Sequence, residues 1–97
     1  MSIVATLELR LRPEKVEAAP AVLDEVLAET RAFAGNLGVE VLTDVEDPTR
    51  VTAFERWESL EHDAAYRAWR AGDGNRPALG ALLAAPPVLT HWTTAGD

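Results

Sequence analysis

Cysteine is absent from all 97 residues. Disulfides, thiolate nucleophiles and cysteine-ligated metal centres are therefore excluded. The absence also fits a cytoplasmic protein. Basic residues are scarce: nine Lys and Arg stand against sixteen Asp and Glu, a net charge of −7. Neutralising phosphates takes clustered cations, so nucleic acid and anionic membranes are poor partners. No apolar run approaches the ~18 residues that read as a membrane span. The opening MSIVATLELR has neither the basic lead nor the long apolar block of a signal peptide. Two histidines, with no carboxylate at ligand spacing, make no metal site. The segment GDGN, 72–75, lacks the length and the following Lys-Ser or Lys-Thr of a phosphate loop. Nothing in the chain calls for a metal, flavin or nucleotide cofactor.

What is present describes one small domain over residues 1–97. Hydrophobic residues make up 47% and charged residues 26%, an ordinary globular balance. Residues 3–11, IVATLELRL, alternate: Ile3, Ala5, Leu7, Leu9 and Leu11 share one face, which predicts a strand. A helix follows from Pro13, with Val16, Ala19, Leu23, Val26, Leu27, Thr30 and Phe33 on one stripe and Gly35 as its stop. Pro20 interrupts it, and the continuous phase of the stripe predicts a kink there. Residues 36–44 and 50–58 read as a hairpin about the Asp47-Pro48 turn. Ser59 is placed to cap a second helix running to about Ala71. A short helix over 78–84, closed by Pro86-Pro87, and a strand over 88–94 complete the chain. The order β-α-β-β-α-β is a ferredoxin-like α+β plan with a four-stranded antiparallel sheet and helices on one face. The other face of that sheet is apolar enough to need a second subunit as its cover.

The stretch FERWES, Phe54 to Ser59, resembles the antibiotic biosynthesis monooxygenase family. Supporting features are LRLRPEK at the first helix, AGNLGVEV entering the second strand, EDPTR at the hairpin turn and APPVLTHW before the last strand. The resemblance runs over nearly the whole chain in the same element order. It implies a homodimeric α/β barrel joined through its sheets. For the best-understood members it implies oxidation of aromatic polyketides by molecular oxygen without metal or flavin. Their pattern has an Asn where this chain has Ala53, and a Tyr where it has Asp63, with Tyr66 one helical turn later. Haem-degrading members keep an Asn in the first strand. This chain offers Thr6 there, and its His62 comes too early to be their iron ligand.

The expected reaction is therefore a cofactor-independent monooxygenation of an aromatic or polyketide-like molecule. The alternatives are a cyclase or isomerase on the same fold, or a non-catalytic binding dimer. Trp57 would stack on a flat substrate and orient it, or else fill the core. Glu55, on the same strand face, would exchange a proton with a phenol, or else pair with an Arg as a structural ion pair. Tyr66 would hydrogen-bond a substrate oxygen, and His91 would be a second base or an interface residue. Trp69, Leu23, Leu27 and Ala53 complete the expected pocket between sheet and helices.

Overall fold

The computed structural model describes residues 2–95. Strand β1 (Ile3–Arg10) leads through a single 3-10 turn, Pro13–Lys15, to helix α1 (Ala19–Ala32). Strands β2 (Asn36–Thr43) and β3 (Arg50–Trp57) form the hairpin. Helix α2 (Leu60–Ala71), the one-turn α3 (Pro77–Gly80) and strand β4 (Val88–Thr93) follow. The sheet order is β2-β3-β1-β4 with every neighbour antiparallel. This is the four-stranded ferredoxin-like arrangement, and the helices lie on one face.

Two local expectations change. Pro20 does not kink a long helix; it stands in the first turn of α1. A continuous helix would need an N–H at Pro20 to bond the carbonyl of Val16, and proline has none, so the chain starts a new helix instead. The apolar segment 78–84 is not one helix. Beyond Gly80 its backbone turns to the end of β1: Arg12 N–H bonds Leu82 O at 2.8 Å and Ala84 N–H bonds Arg10 O at 2.7 Å. A sheet-end partner satisfies those backbone groups as well as a helix would.

The alternation in β1 and β3 sends Ile3, Ala5, Leu9, Val51, Ala53, Glu55 and Trp57 under the helices, and all are buried. α1 answers with Ala19, Leu23, Val26, Leu27 and Thr30, a stripe at three- and four-residue spacing. α2 covers the Trp57 end of the sheet with Asp63 and Tyr66. Ser59 caps it, accepting the His62 N–H at 3.2 Å. Gly35, after α1, holds φ +87°, and a Cβ there would lie 2.2 Å from the His62 ring. Only glycine fits that junction between α1 and α2. On the outer face Leu42, Val88 and Trp92 are each about half exposed, at 48%, 57% and 54%.

Candidate functional site

The register of the sheet puts Glu55 of β3 opposite Ala5 of β1, and His91 of β4 on the other side of Ala5. Both side chains therefore point under α2. Glu55 is 2% exposed and Asp63, on α2, also 2%. A buried carboxylate needs a partner, and one arginine serves both. Arg67 Nη2 donates to Glu55 Oε1 at 2.6 Å and to Asp63 Oδ1 at 2.9 Å. Trp57 Nε1 donates to the same Glu55 oxygen at 3.1 Å. His91 Nε2 donates to the other Asp63 oxygen at 2.6 Å. Glu55 Oε1 is thus held twice, while its second oxygen has no partner among the described residues.

A cavity of about 370 Å³ opens beside this cluster. Its walls are apolar, from Leu7 and Leu9 of β1, Ala53 of β3, and Leu23, Val26 and Leu27 of α1. One end is polar: Glu55, Tyr66, Arg67 and Arg70 line it. A largely apolar hollow with a few convergent polar groups is the usual form of a small-molecule site, and such sites run from about 300 to 1,000 Å³.

The sequence-derived candidates divide. Glu55, Tyr66, Leu23, Leu27 and Ala53 meet at the cavity. Trp57, Trp69 and His91 do not line it. Trp57 has no exposed surface; it packs against Tyr66 with ring centroids 5.0 Å apart and edge-on to Phe33 at 6.3 Å. Its indole N–H is its link to the cavity, through Glu55. Trp69 lies against Phe33, 5.4 Å between centroids, over a separate hollow with Glu29 and Ala32. His91 reaches only Asp63, behind Arg67.

Tyr66 is tied as well. Thr30 Oγ1 lies 3.1 Å from Val26 O and 2.7 Å from the Tyr66 hydroxyl, and in the second contact either hydroxyl can donate. Arg70 Nε donates to the Tyr66 oxygen at 2.8 Å. Tyr66 therefore presents its ring to the cavity while Thr30 and Arg70 hold its hydroxyl.

Residues 2–78 match the family model described as antibiotic biosynthesis monooxygenase. The chain belongs to that family. The match ends before β4, so Glu55, Asp63, Tyr66 and Arg67 lie inside it and His91 outside. The fold has close relatives among solved structures. A conserved protein of Methanosarcina mazei Go1 superposes with a TM-score of 0.82 at 18% identity, covering 95% of this chain and 91% of its own. Rv0793 of Mycobacterium tuberculosis gives 0.81 at 22% identity, covering 100% and 98%. A Deinococcus radiodurans protein, provisionally named an antibiotic biosynthesis monooxygenase, gives 0.82 at 19% identity, covering 98% and 94%. No curated protein matches the chain. At these identities the likeness is one of fold, and the family's diversity leaves the chemistry to the residues of the cavity.

The sequence alone assigned no site role to Arg67 or Arg70, and it placed Asp63 and Thr30 without their partners. One signal was there: Asp63 and Arg67 stand four apart on one helix, the spacing of an ion pair. That spacing usually marks a solvated helix face. Here α2 turns it inward because Tyr66, between them, is drawn into the core.

Among the described residues no helix is long and apolar enough to cross a membrane.

Proposed function

We propose that this family member is a cofactor-independent monooxygenase acting on an aromatic, polyketide-like small molecule, with Glu55 as the proton acceptor. The observation that carries the reading is Glu55 itself. It is a buried carboxylate at the polar end of an apolar cavity, with one oxygen fixed by Trp57 and Arg67 and the other unpaired. A general base must reach its proton before its acidity matters, and the free oxygen can. Removing a proton from a phenol or an enolisable ketone makes an electron-rich anion, the species that dioxygen can attack without a metal or flavin. Leu23, Leu27 and Ala53 would receive the flat hydrocarbon part, and the Tyr66 ring would bound it. Trp57 would act through Glu55, as a positioning residue. His91 would act further back, through Asp63. Trp69 would support the Tyr66 ring from behind.

Oxygen uptake with dihydroxyanthrone tests this. Glu55→Gln keeps the shape and the indole contact but cannot take a proton. It should lower turnover by about 10²–10⁴-fold, the usual worth of a positioned base. Unchanged oxygen uptake in Glu55→Gln would remove Glu55 from the reaction.

A second reading has one observation behind it. Ala53 offers no amide, and the Tyr66 hydroxyl is already held by Thr30 and Arg70, which leaves this end of the cavity poor in donors for bound dioxygen. The same base could then serve an isomerase or cyclase that needs no oxygen. Product analysis under anaerobic conditions separates the two: a product formed without oxygen belongs to the second. The exposed Leu42, Val88 and Trp92 on the outer sheet face support a homodimer joined there, and sedimentation would measure it.

A further inference from the structure

We propose that Arg67 is the substrate-oxygen anchor of this site, and that it selects molecules whose ionisable oxygen becomes an anion beside Glu55. The proposal rests on the reading of Glu55 as proton acceptor and adds the group that receives the charge.

An arginine has five N–H groups. On Arg67, Nη2 spends both of its own on Glu55 and Asp63. Nε is sealed from water and has no partner. Nη1 has no partner among the described residues and is not sealed. Arg67 lines the cavity, and it lies within hydrogen-bond distance of Glu55. Any oxygen whose proton passes to the free Glu55 oxygen therefore sits next to a guanidinium with unused donors. Of the other cations lining the cavity, Arg70 has all five donors engaged; Arg76 keeps unused donors, but it is drawn to Glu29 through Nε and Nη2, and Arg67 is the one bonded to Glu55. Nε is sealed, so the open Nη1 donors are the ones a ligand oxygen can engage, as a charge-assisted hydrogen bond. A donor aimed at charge that appears only during reaction favours the reacting state over the bound substrate.

The step balances without an oxidant. The substrate O–H, or a C–H beside a carbonyl, breaks. Its proton bonds to Glu55, and its electron pair remains on the substrate, concentrated on the oxygen that Arg67 Nη1 holds. A neutral substrate enters, and the complex keeps its net charge. The substrate class is thus a phenol or enolisable ketone fused to an apolar ring system. A plain hydrocarbon of the same shape would fit the walls and gain nothing from Arg67.

The test is anaerobic, so it does not depend on oxygenation. Dihydroxyanthrone is bound at a pH where the free probe is neutral, and its absorption spectrum reports the anion. Dihydroanthracene, which has no oxygen, is the control for the apolar walls. Arg67→Lys keeps a cation for the two buried carboxylates but loses the planar fork, and a thermal melt confirms that it is folded. The wild-type protein should show the anion band. Arg67→Lys should reduce the bound anion fraction at least about ten-fold, the scale of one charge-assisted hydrogen bond, and leave dihydroanthracene affinity within about two-fold. Glu55→Gln should bind the probe in its neutral form. An anion band that survives in Arg67→Lys overturns the proposal, and so does an equal loss of affinity for dihydroanthracene. If Arg67→Lys does not fold, Arg67→Gln combined with Asp63→Asn, which removes a buried carboxylate along with the cation, is read in the same way. An anion band without oxygen uptake would sink the monooxygenase reading and leave Arg67 standing. Failure of wild-type protein to bind the probe would sink both.

Discussion

Helix α2 carries two arginines three residues apart, and they are built for different ends. Arg70 is closed. Its Nε goes to Tyr66, its Nη1 to Glu29 and to Gly74 O, and its Nη2 to Val26 O and Thr30, between 2.8 and 3.2 Å. It ties α2 to α1 and to the loop after α2, and its side chain is 15% exposed. Arg67 is open. It holds two carboxylates through one nitrogen, and among the described residues its two Nη1 donors have no partner, in a side chain that lines the cavity. The same residue type, on the same helix, is a structural tie in one place and a binding group in the other. The difference lies in how many donors the fold has already used.

The comparison breaks most visibly at Arg70. Arg70→Met leaves Glu29, Gly74 O and Val26 O short of donors and strips the Tyr66–Thr30 pair of its cation. A buried polar group left without its partner costs about 1–3 kcal/mol, and Val26 O, Thr30 and Tyr66 all lose this donor, so urea denaturation should show a loss of at least that size. Binding of a ligand by whatever folded protein remains should be weakened far less. A loss under about 1 kcal/mol would mean that the tie is ornamental. Arg67→Lys should give the opposite profile, small in stability and large in recognition of the substrate anion.

Trp57 tests the link between the two halves. Trp57→Phe retains most of the aromatic packing against Phe33 and Tyr66 and deletes the N–H that fixes Glu55. Stability should fall by about 1–3 kcal/mol, as for a large buried side chain that loses volume. If Trp57 positions the base, turnover should also fall about ten-fold, the worth of a hydrogen bond to a charged group, with ligand affinity unchanged. A fall in affinity with constant turnover would make Trp57 a packing residue alone.

The asymmetry between the arginines also marks what could be read from the sequence. Strands and helices were legible because their burial has a short period: Ile3 to Leu11 alternate, and Ala19 to Thr30 recur at helical spacing. Glu55 and Trp57 could be placed together for the same reason, being two apart on β3. The roles of Arg67 and Arg70 depend on partners 12 and 41 residues away, at Glu55 and Glu29. No local pattern holds that information, since an arginine on an amphipathic helix is normally solvated. An aromatic on a sheet face can stack on a ligand or fill the core, and the sequence leaves both open for Trp57; Phe33, folded back from the end of α1, covers it, and it packs in the core. Pro20 was ambiguous because a stripe that keeps phase looks the same across a kink and across a restart.

The smallest expected effect belongs to Glu29, where Arg70 meets Arg76. Hydrogen bonds from Arg76 and then Arg70 lower its carboxyl from the ordinary value of 4.5 to about 2, against a smaller opposing effect of burial. A folded-state value below the unfolded one stabilises the protein above pH 4.5 or so, where both states are ionised. As the pH falls from about 4.5 toward 2, the unfolded chain takes up the proton and the folded one does not, so this contribution fades and is gone below 2. Glu29→Gln cannot titrate and lacks that slope. The stability difference between wild-type protein and Glu29→Gln should therefore be constant above about pH 5 and should shrink steadily on acidification. The side chain is 34% exposed, so water and salt screen the pair and the slope is shallow. Asp47 and Glu61 are also held low, by Thr49 and by the backbone and Ser59 at the start of α2, but both are present in either protein and cancel. Denaturant midpoints measured from pH 6 to pH 2 at low salt would show the effect. A difference that stays flat across that range would mean that the Arg70–Glu29–Arg76 contact contributes shape and no charge stabilisation, and would leave Arg70 a tie made by its bonds to Tyr66, Thr30, Val26 and Gly74 alone.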